Sequence, residues 1–150
     1  MRVAGTEDFE DVKRLAVCFY KASPYADLCL DDAKISALIT EYLTSNPKDK
    51  IVFLAEENGK AVGILAAAAL PFLLNSTDRI AAEAMWFLEP EHRKGRKGLQ
   101  LLDAFEYWGT EIAKCSILQL ARLRDSAGIE KIYDRRGYDA AEYFHIKKVN

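Results

Sequence analysis

The sequence predicts an α/β domain, an α+β arrangement in which helices pack on a central mixed sheet. Three observations lead to this fold class. Apolar residues recur at helical spacing early in the chain, an Asn58-Gly59 turn separates two strand-like apolar runs, and a strand–helix–strand pattern follows. With 150 residues, half of them hydrophobic, the chain is long enough for one domain over residues 1–150 and too short for two ordinary ones.

The helical signals come first. Residues 1–4 form a candidate strand, and a helix is predicted over about 7–21, where apolar residues face one side and acids occupy the first turn. A second helix begins after Asp31 or Asp32, either of which can cap it. It is predicted to stop near Pro47.

The middle of the chain favours strands. The apolar runs 51–55 and 61–65 flank Asn58-Gly59, a pair suited to a two-residue turn in which both positions need positive φ. The two runs are therefore predicted to pair antiparallel. The segment Arg79–Leu88 then reads as a third strand of the same meander.

The second half of the chain completes the predicted order of helices and strands. A strand is predicted within 115–123, and Asp125 or Ser126 can cap a short helix that ends near Arg136. Gly137 can close that helix in the left-handed conformation, and 138–149 gives one or two final strands. The resulting order is β-α-α-β-β-β-α-β-α-β. The long helix between the third meander strand and the next strand has these predicted inward residues: Leu101, Leu102, Phe105, Trp108, Gly109 and Ile112.

Composition narrows the class of function. A formal net charge of -2 gives no overall attraction for nucleic acid or an anionic membrane, so neither partner is expected. The apolar run 61–74 contains Pro71 and falls short of the roughly 20 residues of a membrane span. Cys18, Cys29 and Cys115 lack disulfide or zinc spacing and are predicted to be reduced core thiols. No export signal is recognised, so a cytoplasmic location is expected.

The segment 89–98 carries the clearest chemical signal. Cations near a helix N-terminus are unfavourable by roughly 0.3–1 kcal/mol each, so a cluster of them there indicates a bound anion such as phosphate. Three interpretations remain open on charge and position alone: a solvated basic turn, a nucleic-acid patch, and a site for a nucleotide-like cofactor. The cluster combines four cations with two glycines: Arg93, Lys94, Gly95, Arg96, Lys97 and Gly98.

Two motifs resemble those of the GNAT acetyltransferase superfamily, and the likeness covers nearly the whole chain. The strand end 86–90 followed by 93–98 is similar to that family's coenzyme A motif, and 133–138 is similar to its second signature, Tyr-x-x-x-Gly-Tyr/Phe. Two positions depart from the family pattern. Arg96 stands where a glycine is usual, and Ser126 stands where an asparagine is common.

The resemblance implies that acetyl-CoA is the acetyl-donor cosubstrate. The main chain of Trp86, Phe87 and Leu88 would pair with its pantetheine arm, and the cationic turn 93–98 would hold its pyrophosphate. Ser126 and Tyr133 would be further cofactor contacts, with Tyr133 near the thioester sulfur.

Glu83 and Tyr133 are the candidate catalytic residues. An acid inside an Ala-rich strand is a candidate general base, although alternation could also turn Glu83 to solvent. The phenol of Tyr133 is suited to protonate a leaving thiolate, or it could simply pack on the sheet. No cysteine lies in a nucleophile motif, which favours direct attack over an acyl-enzyme. The aromatic residues Tyr20, Tyr25, Trp86 and Phe87 could line an acceptor pocket, although packing in the core would explain them equally well.

The predicted function is an acetyl-CoA-dependent N-acetyltransferase that moves an acetyl group by direct attack to a primary amine of a small molecule or a protein. The alternative is a catalytically inactive CoA-binding or regulatory module of the same fold. No metal is expected, and a homodimer is left open.

Overall fold

The computed structural model describes residues 1–122, 128–142 and 144–149. Its strands are β1 (Arg2–Val3), β2 (Lys50–Glu57), β3 (Lys60–Pro71), β4 (Arg79–Leu88) and β5 (Ile117–Gln119). Its α-helices are α1 (Phe9–Lys21), α2 (Asp32–Thr44), α3 (Lys97–Tyr107) and α4 (Ile129–Arg135). The strands form one five-stranded sheet in the order β1-β2-β3-β4-β5. Neighbouring strands are antiparallel except β4 and β5, which are parallel, so the predicted mixed sheet is confirmed.

The β2–β3 hairpin forms where the sequence predicted it. Asn58 and Gly59 have φ values of 51° and 77°, the positive values that a two-residue turn of this kind needs. The long β3 strand is buried over most of its length, since it lies between β2 and β4 with helices above and below. Its alanines allow both helical layers to approach closely.

Helices α1 and α2 cover one face of the sheet. A short 3-10 turn, Thr6–Asp8, precedes α1, so the predicted helix is confirmed with a tighter first turn. Asp31 caps α2, because its carboxylate accepts a hydrogen bond of 3.1 Å from the backbone N–H of Lys34. Buried Leu15 and Ile39 bring the two helices onto β2 and β3.

Helices α3 and α4 cover the other face. Leu101, Leu102 and Phe105 are fully buried against the sheet, as predicted. A π-helical turn, Trp108–Ile112, extends α3, and the indole N–H of Trp108 donates to the carbonyl of Pro47 at 2.6 Å. Ile112 itself is 39% exposed, so its predicted inward position is wrong, because the wider turn rotates it away from the sheet.

Two irregularities of β4 position the candidate site. Ala66 pairs with Met85 and Ala67 pairs with Glu83, so Ala84 is an extra residue that forms a β-bulge. On its other side β4 pairs with β5 only through residues 80–82. Within the described part of the chain, no strand pairs with that side of β4 from residue 83 to residue 88.

The predicted final strands within 138–149 are wrong for the described residues, none of which lies in a strand. A strand forms only against a partner with free backbone groups, and β5 offers only three residues. Apolar Phe144 and Ile146 remain 80% and 56% exposed. Gly137 does close α4 with a φ of 79°, as predicted.

Three further features of the fold concern the cysteines, the start of α4 and the lengths of the helices. Cys29 is exposed, because it lies in the loop between α1 and α2, so it is not the core thiol predicted, whereas Cys18 and Cys115 are partly buried. Asp125 and Ser126, the predicted caps of α4, lie outside the described residues, and the observed cap position is Gly128. Among the described helices, none has the length and apolar character needed to cross a membrane.

Candidate functional site

The cationic turn leads into α3 with its backbone exposed. Arg96 occupies the position before the helix, its side chain caps nothing, and the first turn of α3 contains no acidic residue. The first N–H groups of any helix lack partners within the helix and attract negative charge. The four residues before the helix, Arg93 to Arg96, are all exposed. This exposed end of α3 can therefore accept an anion.

The two glycines keep the space in front of the helix free. A Cβ added at Gly95 would meet no atom within 4 Å, and one at Gly98 would meet only the Trp86 ring, at 3.7 Å. Neither glycine is needed to relieve a clash within the protein. Both positions leave room for oxygen atoms of a ligand to reach the backbone N–H groups.

The cations of the turn divide into free and paired groups. Lys94 and Arg96 make no ion pair with any residue that the structure describes. Lys97 donates to the carboxylate of Glu57 at 2.7 Å, and the Nδ1 of His92 lies 2.7 Å from the same carboxylate. These contacts lower the pKa of Glu57, first through the hydrogen bond from Lys97. Glu57, which the sequence analysis did not single out, thus lies opposite the cations.

Arg93 links the turn to the end of β4. Its Nε donates to the carbonyl of Leu88 at 2.8 Å, and its guanidinium lies 5.6 Å from the centre of the Phe87 ring. Phe87 and Leu88 are each 8% exposed, with their side chains in opposite cores. A ligand beside Trp86, Phe87 and Leu88 would therefore meet their backbone. This is the side of β4 that, from residue 83 to residue 88, pairs with no strand among the described residues.

Glu83 and Tyr133 meet at one backbone unit. The carboxylate of Glu83 accepts a hydrogen bond of 3.1 Å from the N–H of Ala121, and the phenol of Tyr133 donates to the carbonyl of Ala121 at 3.0 Å. The Tyr133 ring also stacks on Trp86, with 6.3 Å between centroids. The structure therefore brings both candidate catalytic residues to the gap between β4 and β5.

Burial changes the proton affinity of both groups. It raises the pKa of Glu83 to about 7, although the hydrogen bond from Ala121 opposes the rise. It also raises the pKa of Tyr133, and the nearby Glu83 adds to that effect. Near neutral pH, Glu83 can therefore gain or lose a proton, while Tyr133 keeps its own.

Ser126, the remaining predicted cofactor contact, lies outside the described residues. Two further residues of the candidate site, Ala121 and Glu57, were not predicted from the sequence. Ala121 was not predicted, because an alanine contributes only backbone and has no sequence signature. Glu57 ends the strand before the hairpin, and only the register of that hairpin brings it to the cationic turn.

A pocket of about 250 Å³ opens on the α1–α2 face of the sheet. Tyr20 and Tyr25 line it, as predicted, whereas Trp86 and Phe87 do not. Its lining reaches β4 at the bulge residue Ala84 and at the next residue, Met85. Glu83 pairs with Ala67, which belongs to the core on the α3 side, so its carboxylate lies on the face of the sheet opposite the pocket.

One cluster of the described residues has the donor atoms for a cation. Single donor atoms of Glu89, Glu91 and His92 lie within 4.8 Å of one another. Glu89 already binds Arg14 at 2.5 Å, and His92 contacts Glu57. Two of the three groups, Glu89 and His92, are therefore already held by protein partners.

Comparison with known proteins gives a family match. A model of the Acetyltransferase (GNAT) family matches residues 10–138, which include the cationic turn, Glu83 and Tyr133. No curated protein matches the sequence significantly.

Several solved structures share the fold. Aminoglycoside N-acetyltransferase AAC(6')-Iy with the bisubstrate analogue CoA-S-monomethyl-acetylneamine has a TM-score of 0.75 and 19% identity, covering 99% of this chain and 96% of that chain. The same enzyme with CoA gives 0.76 and 19%, covering 99% and 92%. Ribosomal-protein-alanine N-acetyltransferase from Brucella melitensis biovar Abortus 2308 gives 0.71 and 16%, covering 99% and 96%. At these identities the likeness concerns the fold alone.

Proposed function

This chain belongs to the GNAT acetyltransferase family, and from that membership we propose that it transfers an acetyl group from acetyl-CoA to a primary amine by direct attack. One observation carries the proposal: an uncapped, cationic helix N-terminus adjoins the part of β4, residues 83–88, whose outer side pairs with no strand in the described part of the chain. A ligand with a pyrophosphate at one end and a peptide-like arm at the other matches both features. Acetyl-CoA has that construction and supplies an activated thioester.

The residues of the turn would bind the donor. Lys94 and Arg96 are free to approach the pyrophosphate, and the N–H groups at the start of α3 add hydrogen bonds and dipole. The backbone of β4 from Glu83 to Leu88 would pair with the pantetheine arm as an added strand does. Arg93 holds the end of that strand to the turn through Leu88.

Glu83 would serve as the general base. An aliphatic amine with an ordinary pKa near 10.4 is protonated at neutral pH, so a base must take a proton before or during attack. A carboxylate with a pKa of about 7 has nearly the ideal affinity for that task. Its anchor on the Ala121 N–H keeps it beside the β4–β5 gap.

Tyr133 would donate to the leaving sulfur. Its raised pKa keeps the phenol protonated across the working pH range, so a donor is always present. In this structure the phenol donates to the carbonyl of Ala121, and it must release that bond to serve the thiolate. Transfer forms a C–N bond and breaks the C–S bond. Starting from the ammonium form, the nitrogen loses two protons: Glu83 passes one to solvent, and the other balances the proton that Tyr133 gives to the thiolate and then regains.

Calorimetry tests donor binding. CoA should bind at micromolar concentration, and the double variant Lys94→Ala/Arg96→Ala should weaken binding by about 30-fold or more, the equivalent of losing two charge-assisted contacts. Lys21→Ala is the matched control, because it removes an exposed cation at the far end of α1. Equal affinities in the three proteins would refute the assignment of the turn.

The pH profile tests the base. Because Glu83 must be ionised to accept a proton, kcat/KM should rise with pH through about 7 and then level off. Glu83→Gln should lower kcat by about 10²- to 10⁴-fold and remove that limb. Tyr133→Phe should lower kcat with little change in CoA affinity. A limb that survives in Glu83→Gln assigns the base to another group.

A catalytically inactive CoA-binding module is the second candidate. The observation in its favour is the Tyr133 hydroxyl, which already has a protein acceptor. CoA binding without acetyl transfer to a panel containing neamine, an alanine-terminated peptide and simple alkylamines would favour this reading.

The three free thiols support a reducing, cytoplasmic location for either function.

A further inference from the structure

We propose that the pocket on the α1–α2 face is the acceptor site and that it selects a small primary amine with an aromatic, otherwise apolar skeleton. The proposal rests on the proposed function, because it names the acceptor of that reaction. It assigns the α1–α2 side of the sheet to the acceptor and the α3 side to the donor.

The size and lining of the pocket fit one aromatic ring with a short chain. Its volume is about 250 Å³, and an apolar cavity of about 150 Å³ is enough to hold benzene. Ile39, Val52 and Ile64 form a floor that is at most 4% exposed. Phe19 and Tyr42 add aromatic walls, which suit offset or edge-on contacts with a ring.

The hydroxyl groups of Ser23 and Tyr20 in the pocket are already bonded within the protein. The Ser23 hydroxyl donates to the carbonyl of Tyr20 at 2.7 Å and accepts from the N–H of Tyr25 at 3.2 Å. The Tyr20 hydroxyl donates to the carbonyl of Leu28. No acidic or basic side chain lies among the described residues that line the pocket. A polyamino sugar would therefore lose hydration of its ammonium groups without gaining an anionic partner.

The pocket opens beside the part of β4 that would hold the donor. It reaches the sheet at Ala84, the exposed bulge residue at the start of the segment that would pair with the pantetheine arm. An amine whose ring lies on Ile39 and Val52 would extend its nitrogen toward this segment. The apolar surroundings disfavour the ammonium form, so they lower the pKa of the bound amine and favour the neutral nucleophile.

The first test compares acceptors with the intact protein and acetyl-CoA. Phenethylamine should be acetylated with a kcat/KM at least about 100-fold above that of neamine, because the latter brings unpaired charges into an apolar site. Thiol release measures transfer, and calorimetry on the CoA-bound protein measures phenethylamine binding separately. Equal or better transfer to neamine would overturn this inference and leave the proposed function intact.

Two further outcomes separate the claims. Binding of phenethylamine without any transfer would support the pocket assignment while contradicting the proposed function. Neither binding nor transfer of phenethylamine would overturn the inference, whatever the activity on other amines.

Variants locate the site. Ala16 lines the pocket, so Ala16→Phe should fill it and raise the KM for phenethylamine at least about tenfold, with CoA affinity unchanged. Ala37→Phe is the matched control, because Ala37 is exposed on α2 and outside the lining. A second variant, Leu38→Ala, trims the rim at a side chain that is 48% exposed, so folding should tolerate it. It should raise the KM about threefold. An unchanged KM in both pocket variants would place the acceptor elsewhere.

Discussion

The N-termini of α2 and α3 satisfy the same physical need in opposite ways. At α2, Asp31 has an extended backbone (φ -102°, ψ 111°), its carboxylate accepts from Lys34 N–H, and Asp32 adds a second acid. At α3, Arg96 has helical dihedral angles (φ -94°, ψ -7°), its side chain caps nothing, and glycines and cations replace the acids. The start of α2 is capped by a side chain of the protein, and the start of α3 is left without a side-chain cap.

Under the proposed function, this difference marks a place where stability is given up for binding. A side-chain cap is worth about 1 kcal/mol, and α3 forgoes it while adding cations that the helix dipole disfavours. Burial of Leu101, Leu102 and Phe105 holds α3 in place instead. A helix that is secured by its core can leave its N–H groups unsatisfied until an anion arrives.

The largest effect is expected from making α3 resemble α2. Arg96→Asp replaces a free cation by an anion at the proposed pyrophosphate site, so the Kd for CoA should rise at least about 100-fold, or about 2.7 kcal/mol. The free energy of unfolding should not fall, because an acid near a helix N-terminus is favourable. Calorimetry and urea denaturation measure the two quantities. Lost affinity together with lost stability would mean that Arg96 supports the fold and not the ligand.

A medium effect is expected from removing the cap of α2. Asp31→Ala should lower the free energy of unfolding by about 1 kcal/mol, since the N–H of Lys34 loses its acceptor. The affinity for CoA should stay the same. Denaturant titration with CoA calorimetry checks this, and a weaker Kd would show that the two helix starts are not independent.

The smallest effect concerns Glu57, which already partners a cation of the turn. Glu57→Gln removes the carboxylate that holds Lys97 and His92, and it should tighten CoA binding by about threefold, the scale of an exposed ion pair. Glu56→Gln is the matched control on the neighbouring strand position. Weaker CoA binding in Glu57→Gln would mean that the carboxylate positions Lys97 rather than competing for it.

The fold was predictable wherever a local rule decided the structure. Asn58-Gly59 fixed the hairpin, and Asp31 marked the start of α2. The π-helical turn after α3 was not predictable, because it depends on how Trp108 reaches Pro47 across the fold. The strands expected within 138–149 have apolar residues of the right kind, but strand formation also requires a partner edge that sequence alone does not reveal.

The candidate site was predictable only in part. Charge and motif spacing identified the turn, and the Ala-rich strand identified Glu83. The pairing of Glu83 and Tyr133 with Ala121 depends on the parallel β4–β5 contact, which brings together residues far apart in sequence. The shape of the pocket depends on the packing of α1 against α2, which sequence alone does not reveal. Of the four aromatic candidates, Tyr20 and Tyr25 line the pocket, whereas Trp86 and Phe87 pack in the cores, the alternative that the sequence left open.

The bulge residue Ala84 in β4 has a consequence for how the acceptor specificity of such a protein can change in evolution. Ala84 and Met85 line the pocket, whereas Glu83 contacts Ala121, and the buried residues of the two sheet faces form separate cores. Substitutions in α1 and α2 can therefore accumulate without disturbing the packing around α3. A lineage could exchange one amine for another while its acetyl donor stayed the same, and a mutant library confined to the α1–α2 face would explore that change directly.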